Sequence, residues 1–213
     1  MTEPEYVSFG FGDETSYPLD ESRNRDELIS TFQEVFRHSP YEEDWSYEDV
    51  DSFLGSMQET DYEGFLALDG DDVIGFAWGR ILEPGDAEEF PDELQEADTD
   101  YFDGSTFYFE ELGVAPGHRG QRIGKKLKRK ELERVKERRD VSRGLMRTQY
   151  NGEELIEVEE DVEAYGDNTR KLGLDSDLGF SPVKVDDAPV IEPVDLVGRA
   201  ESDERIYMER DLS

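Results

Sequence analysis

Whatever this chain folds into must hold together against its own charge. It carries 56 aspartates and glutamates against 23 lysines and arginines, a formal net charge of −33 over 213 residues. Self-repulsion of that size opposes compaction in dilute buffer and is relieved when salt screens it. High charge with little apolar content is also the composition of disordered chains. Here, however, 12 Phe, 10 Tyr and 2 Trp are retained, and they recur at helix and strand periods, so the charge has to coat an ordered core. The basic residues number 16 Arg to 7 Lys. An acidic, lysine-poor, well-patterned sequence reads as halophilic, its acidity serving solvation in brine rather than recognition of a partner.

The length suits a single domain spanning residues 1–213. With no cysteine, disulfides, thiolate catalysis and Cys-ligated zinc are excluded. His38 and His118 are too few and too far apart for a histidine metal centre, so no metal is expected. The first residues, Met1 to Glu5, lack the basic-then-apolar pattern of a leader, and no apolar run approaches a bilayer's thickness. A soluble cytoplasmic protein, without membrane partners, is the expectation.

Periodicity predicts a mixed α/β domain of order βααβββαβαββ. Tyr6 to Phe11 alternates as a strand. Leu28, Phe32, Val35 and Phe36 mark one face of a helix, for which Asn24 and Glu27 offer a capping box and Ser39-Pro40 a stop. Ser46 caps a second helix with Val50, Phe53, Leu54 and Met57 inward. Residues 64–68 and 73–82 read as a hairpin. The stretch 83–103, with ten acidic residues and no basic one, reads as an acidic surface insertion. A strand over Thr106–Val114 and a long helix over Arg119–Arg139 follow. Further on, 145–150 and 155–158 pair as a hairpin or supply a central strand, Asn168–Leu178 forms a short helix, and 181–185 and 205–212 close the sheet.

Chemistry concentrates between Glu110 and Leu127: a strand, a tight turn, and a glycine-bearing helix start flanked by cations. The first turn of a helix presents unpaired N–H groups and the positive end of its dipole, and small residues let an anion approach them. Neither the P-loop ending Gly-Lys-Ser/Thr nor the Gly-x-Gly-x-x-Gly fingerprint is present. The stretch resembles the acyl-CoA pyrophosphate loop of the GNAT superfamily of N-acetyltransferases, Arg/Gln-x-x-Gly-x-Gly/Ala after a Leu-x-Val-x-Pro strand end. Leu112, Val114, Pro116, Arg119, Gly120, Ile123 and Gly124 stand where the family's commonest sequence places them. Arg122 departs from the usual glycine, and backbone binding is expected with Arg122 in an ordinary helical conformation pointing outward. Asn168, eleven residues before Gly179-Phe180, matches the family's downstream asparagine. The resemblance covers nearly the whole chain.

What the resemblance implies is a GNAT-like acyl-CoA N-acyltransferase fold: a mixed, largely antiparallel sheet flanked by helices. It further implies transfer of an acetyl group from acetyl-CoA, as co-substrate, to a primary amine by direct attack. The acetyl-CoA ligands by resemblance are Leu112, Gly113, Val114, Arg119, Gly120, Gln121, Arg122, Ile123, Gly124, Lys125 and Asn168, with the Val114 N–H as oxyanion donor. Glu110 and Glu111 are the candidate bases; strand alternation lets at most one of them face the reaction squarely. The position where many members carry a proton-donating tyrosine holds Asp175, which leaves the general acid open, with Tyr165 and Tyr207 as substitutes. The acceptor is a small-molecule or peptide amine, and the protein a monomer or homodimer.

Residues 119–139 hold 11 basic and 3 acidic residues, a local +8. Capture of CoA phosphates by 119–126 ranks first there, and pairing with the protein's own carboxylates ranks first for the remainder. Without aromatic interleaving, nucleic acid is disfavoured. Two other readings stand: a GNAT-fold protein that binds acyl-CoA without catalysis, motivated by Arg122 and Asp175, and an RNA- or ribosome-associated module using this helix through Lys128, Arg129 and Lys130.

Overall fold

Helix boundaries follow the buried faces more closely than the capping signals. The computed structural model describes residues 3–10, 17–19, 21–38, 42–59, 62–97, 99–149, 178–198 and 202–213. Strand β1 (Glu5–Gly10) precedes helices α1 (Ser22–Arg37) and α2 (Tyr47–Glu59). Helix α1 buries Leu28, Ile29, Thr31, Phe32, Val35 and Phe36, the stripe that its periodicity predicts. The Asn24–Glu27 capping box does not form. The N-cap is Glu21, without a side-chain cap, and Asn24 sits inside the helix with its Nδ2 donating to the Pro18 carbonyl at 3.0 Å. Ser46 does cap α2, its Oγ accepting from the Asp49 N–H at 3.1 Å while its own N–H donates to Asp49.

The described residues fall into two compact units, Met1–Ile81 with Phe109–Arg138 and Leu82–Tyr108 with Arg139–Ser213. The first contains β1, α1, α2, β2 (Tyr62–Asp69), β3 (Asp72–Ile81), most of β4 (Thr106–Val114) and α4 (Ile123–Lys136). Its strands run in the order β1-β2-β3-β4. The hairpin forms as expected: β2 and β3 are antiparallel with Asp69 opposite Asp72, and Gly70 takes the positive φ (66°) that such a two-residue turn requires. One face of this sheet packs on α1 through an aromatic stack. Phe32 lies 5.5 Å from Phe76 and Phe76 lies 4.5 Å from Trp78, centroid to centroid. The other face packs on α4, where Ala67, Ile74 and Ala77 meet Ile123 and Leu127. Gly75 allows that contact: a Cβ there would lie 3.3 Å from Leu127 and 3.0 Å from the Gly113 carbonyl.

In the second unit β10 (Ser202–Asp211) pairs antiparallel with β5 (Arg143–Gln149), β6 (Ser181–Pro182) and β9 (Ile191–Asp195), and β7 (Lys184–Val185) pairs with β8 (Ala188–Pro189). The acidic stretch is not a plain solvated loop. It forms a 3₁₀ turn (Pro84–Glu89) and a short helix α3 (Asp92–Gln95). Its carboxylates Glu88, Glu89, Asp92, Glu93 and Glu96 face solvent, but Phe90, Leu94, Tyr101 and Phe102 are buried against Tyr108, Leu145 and Tyr207. Fully burying an aromatic side chain contributes about 1.5–3 kcal/mol, so this segment helps to hold its unit together. No helix among the described residues is long and apolar enough to cross a membrane. The hairpin at 150–158 and most of the Asn168–Leu178 helix lie outside the described residues.

Candidate functional site

Strand β4 does not keep strict alternation. Phe109 lies on the α4 face, with Lys128 Nζ 4.4 Å from its ring centroid. Leu112 and Val114 also lie on that face, packed with Ile123 and Leu127. Glu110 and Gly113 point the other way. Glu110 meets Tyr62 and Arg80, and a Cβ on Gly113 would come within 2.3 Å of the Phe76 ring. Residues three apart, Phe109 and Leu112, share a face, so the alternation slips by one residue between them, as it does at a β-bulge. The alternation that would set Glu110 and Glu111 on opposite sides is therefore broken between Glu110 and Leu112.

The strand end is tied in place by backbone bonds. Ala115 N–H donates to the Ile74 carbonyl on β3 at 3.0 Å. Successive strand residues direct their N–H groups to opposite edges, so the Val114 N–H is aimed at the edge of β4 away from β3. Pro116–His118 then form a 3₁₀ turn. The Arg119 side chain braces the turn, with Nε donating to the Val114 carbonyl at 3.1 Å and a terminal nitrogen donating to the Val35 carbonyl on α1 at 3.2 Å. The contribution of Arg119 to an anion is thus through the loop geometry it holds.

Helix α4 starts at Ile123, four residues later than its sequence suggests, because two residues ahead of it are left-handed: Gly120 at φ 78° and Arg122 at φ 63°, ψ 19°. Arg122 is not helical as expected; it is the N-cap. Left-handed backbone costs a non-glycine residue about 1–2 kcal/mol, and this strain is held at the point where the loop turns its amides outward. The first intrahelical bond is Lys126 N–H to the Arg122 carbonyl, so the N–H groups of Ile123 and Gly124 lie ahead of it and emerge from the helix end. Gln121 and Arg122 are exposed and Lys125 is half-buried. A Cβ on Gly120 would meet nothing within 4 Å, and the nearest atoms to one on Gly124 would be Val114 and Leu112 side chains at 3.5 Å and beyond, so neither glycine is crowded by backbone. Together these groups suit a diphosphate: outward amides, a positive dipole end and flanking cations. Arg122→Gly should raise stability by about 0.5–1 kcal/mol. Urea unfolding checks this, and a loss of stability would place Arg122 in a contact that outweighs its strain.

Several cations of the basic helix pair with the protein's own carboxylates. Lys126 pairs with Glu3 at 2.7 Å, Lys128 with Glu131 at 3.7 Å, and Arg134 and Arg138 approach Glu63 at 4.0 and 3.8 Å. Lys130 lies over the rings of Tyr6 and Phe65. Lys128 is buried, its side chain 1% exposed, which removes it from any nucleic-acid surface. Burial, reinforced by the charge of Glu63 and opposed by Lys128, pushes the Glu131 carboxyl up to about 7. A small cavity lined by Ser8, Glu63, Glu131 and Arg134 lies toward the C-terminal part of α4, away from the turn described above.

Tyr207 is fully buried and donates to Glu192 at 2.7 Å, the environment of a packing residue. Asn168, Tyr165 and Asp175 lie outside the described residues. Sequence reading missed Tyr62 and Arg80 altogether; a strand drawn from Gly64 left Tyr62 outside β2, and nothing local announces an arginine buried at a strand end.

A family model, that of the acetyltransferase (GNAT) family, matches residues 25–157. No curated protein sequence matches the chain. Among solved structures, an N-acetyltransferase from Staphylococcus aureus Mu50 superposes with a TM-score of 0.61 at 10% identity, covering 98% of this chain and 99% of that one. A phosphinothricin acetyltransferase from Sinorhizobium meliloti, solved with AcCoA, gives 0.59 at 14% identity over 100% and 90%. A ribosomal-protein-alanine N-acetyltransferase from Brucella melitensis gives 0.58 at 13% over 96% and 99%. At such identities the likeness is one of fold.

Proposed function

Because the chain belongs to the acetyltransferase (GNAT) family, we propose that it transfers an acetyl group from acetyl-CoA to a primary amine by direct attack, as one catalytic domain. The observation that carries this reading is the left-handed turn at Gly120 and Arg122, which feeds the N-terminus of α4 at the end of β4. The outward amides of Ile123 and Gly124 receive the diphosphate, with Gln121, Arg122 and Lys125 alongside and Leu112, Gly113 and Val114 along the pantetheine arm. The Val114 N–H donates to the developing oxyanion. Glu110 or Glu111 takes a proton from the ammonium, the amine nitrogen attacks the thioester carbon, and as the C–S bond breaks the nitrogen's second proton passes to the departing thiolate through water, releasing CoA as the thiol and leaving the neutral amide. Asn168 is proposed to bind the pantetheine arm by resemblance alone.

The acceptor class remains a small-molecule or peptide amine. In this reading the acidic surface is a halophilic adaptation of a cytoplasmic protein. In support, among the described residues only Glu43, Glu63 and Glu131 are buried carboxylates. The test is calorimetric titration of acetyl-CoA in molar KCl, followed by thiol release with a polyamine, an aminoglycoside and a peptide with N-terminal alanine. Micromolar binding with thiol release on one of these amines is the expected result. Binding with no turnover on any of them would favour a non-catalytic acyl-CoA sensor, and no binding by folded protein would overturn the reading.

A further inference from the structure

Tyr62 on β2 and Arg80 on β3 are direct partners across the antiparallel pair, and β4, which carries Glu110, is the next strand in the sheet. Tyr62 and Arg80 are each only 8% exposed. The Arg80 guanidinium carbon lies 6.0 Å from the Tyr62 ring centroid, and the Tyr62 hydroxyl lies within interaction range of both Arg80 and the Glu110 carboxylate. One oxygen of that carboxylate, Oε2, is buried. Three side chains from three neighbouring strands therefore converge on one face of the sheet, at the slip in β4.

We propose that Tyr62 and Arg80 are positioning residues for the Glu110 carboxylate, and that the general base of this site is Glu110 rather than Glu111. The inference rests on the acetyltransferase reading above. Arginine can only donate, so Arg80 donates to the Tyr62 oxygen, and the hydroxyl proton is left to point at Glu110. Burial, and then the Glu110 charge, hold the Tyr62 hydroxyl far above its ordinary range, so it stays a donor throughout the working pH. The arrangement Arg80 to Tyr62 to Glu110 does two things. It fixes the carboxylate's rotamer, and by donating a hydrogen bond under a nearby positive charge it favours the ionised form. A base must be ionised before it can take the ammonium proton. The slip in β4 puts this carboxylate on the same face as Gly113, the residue that precedes Val114.

The test uses full-length protein with ¹³C-labelled glutamate carboxyls in molar KCl, the Glu110 resonance being the one missing from Glu110→Gln. In Tyr62→Phe and in Arg80→Met the Glu110 carboxyl is expected to titrate about one pH unit higher than in wild type, and Arg80→Lys should restore most of the difference. With the amine turned over best, Tyr62→Phe should lower kcat about tenfold and move the acid limb of kcat/KM upward by the same interval. Its acetyl-CoA Kd should not change. An unshifted Glu110 resonance in both variants would overturn the positioning. Full turnover by Glu110→Gln alongside an inactive Glu111→Gln would overturn the choice of base. If wild type turns over no amine, the acetyltransferase reading fails, while the carboxyl titration still decides the positioning on its own. Circular dichroism and thermal melts identify any variant that has not folded, and Arg80→Lys then carries the comparison.

Discussion

Lys128→Met is expected to destabilise the protein by about 3–5 kcal/mol near pH 8, although it exchanges a charge for an apolar side chain of similar size. Lys128 and Glu131 are one turn apart on α4, both side chains 1% exposed, with 3.7 Å between Nζ and Oε2. Truncating the lysine strands a buried carboxylate beside Glu63, and the loss exceeds what the new apolar contact with Phe109 returns. The pH dependence has a definite sign. The Glu131 carboxyl is raised from 4.5 to about 7 on folding, so the native state holds the extra proton and stability falls as pH rises through that window. In wild type the decline is roughly 3 kcal/mol. In the variant, with Lys128 gone, the carboxyl rises further and the decline is steeper and longer. Below pH 4.5 both states are protonated and the variant should approach wild type. Lys128→Met with Glu131→Leu should recover most of the loss, because a buried pair replaced whole is often neutral or better. Urea unfolding of wild type, Lys128→Met, Glu131→Leu and the double variant in molar KCl at acid and alkaline pH gives the cycle. A single variant within about 1 kcal/mol of wild type at pH 8 would mean that the pair is solvated.

Gly124→Glu should separate folding from binding. The added Cβ would lie 3.5 Å from Val114 Cγ2 and 3.9 Å from Leu112, ordinary contact that requires no rearrangement. A glutamate in the first turn of α4 complements the helix dipole, and losing a glycine lowers the entropy cost of the helix, so stability should rise by about 1 kcal/mol. The same carboxylate stands among the outward amides where the diphosphate is proposed to bind. Affinity for acetyl-CoA should then fall at least about a hundredfold, near 2.7 kcal/mol. Lys136→Glu reverses an exposed charge at the far end of the helix and should leave affinity unchanged. Calorimetry decides between them. Equal losses in the two variants would make the effect one of net charge, and an unaffected Gly124→Glu would move the anion site elsewhere.

Patterns confined to one element were mostly legible in the sequence, the Asn24–Glu27 capping box excepted. The inward face of α1, the Ser46 cap and the hairpin around Gly70 each depend on residues close together in the chain, and each is found where expected, the hairpin turn being tighter than read. Features that depend on how distant segments meet were not. A window average over 83–103 registers ten carboxylates and hides Phe90 and Tyr101, whose burial is set by Tyr108 and Tyr207 far along the chain. The burial of Lys128 and Glu131 was not legible either, since nothing in their spacing tells which face of α4 meets the sheet. Arg122 reads as helical because arginine is a good helix former, and only the turn imposed by the strand end makes it left-handed. At the candidate site the loop was visible in the sequence as a motif, whereas the Tyr62–Arg80–Glu110 contact needs three strands in register before it exists.

The first compact unit is assembled from residues 1–81 and 109–138, which matters while the chain is still being made. A ribosome delivers β2 and β3 well before α4, so Ala67, Ile74 and Ala77 await Ile123 and Leu127 while 82–122 is synthesised. For that interval the nascent protein presents an apolar sheet face that the finished one covers, the kind of surface that recruits chaperones or invites self-association. Translation that slows across 82–122 should therefore lower the soluble yield, even though every residue of the mature protein is unchanged.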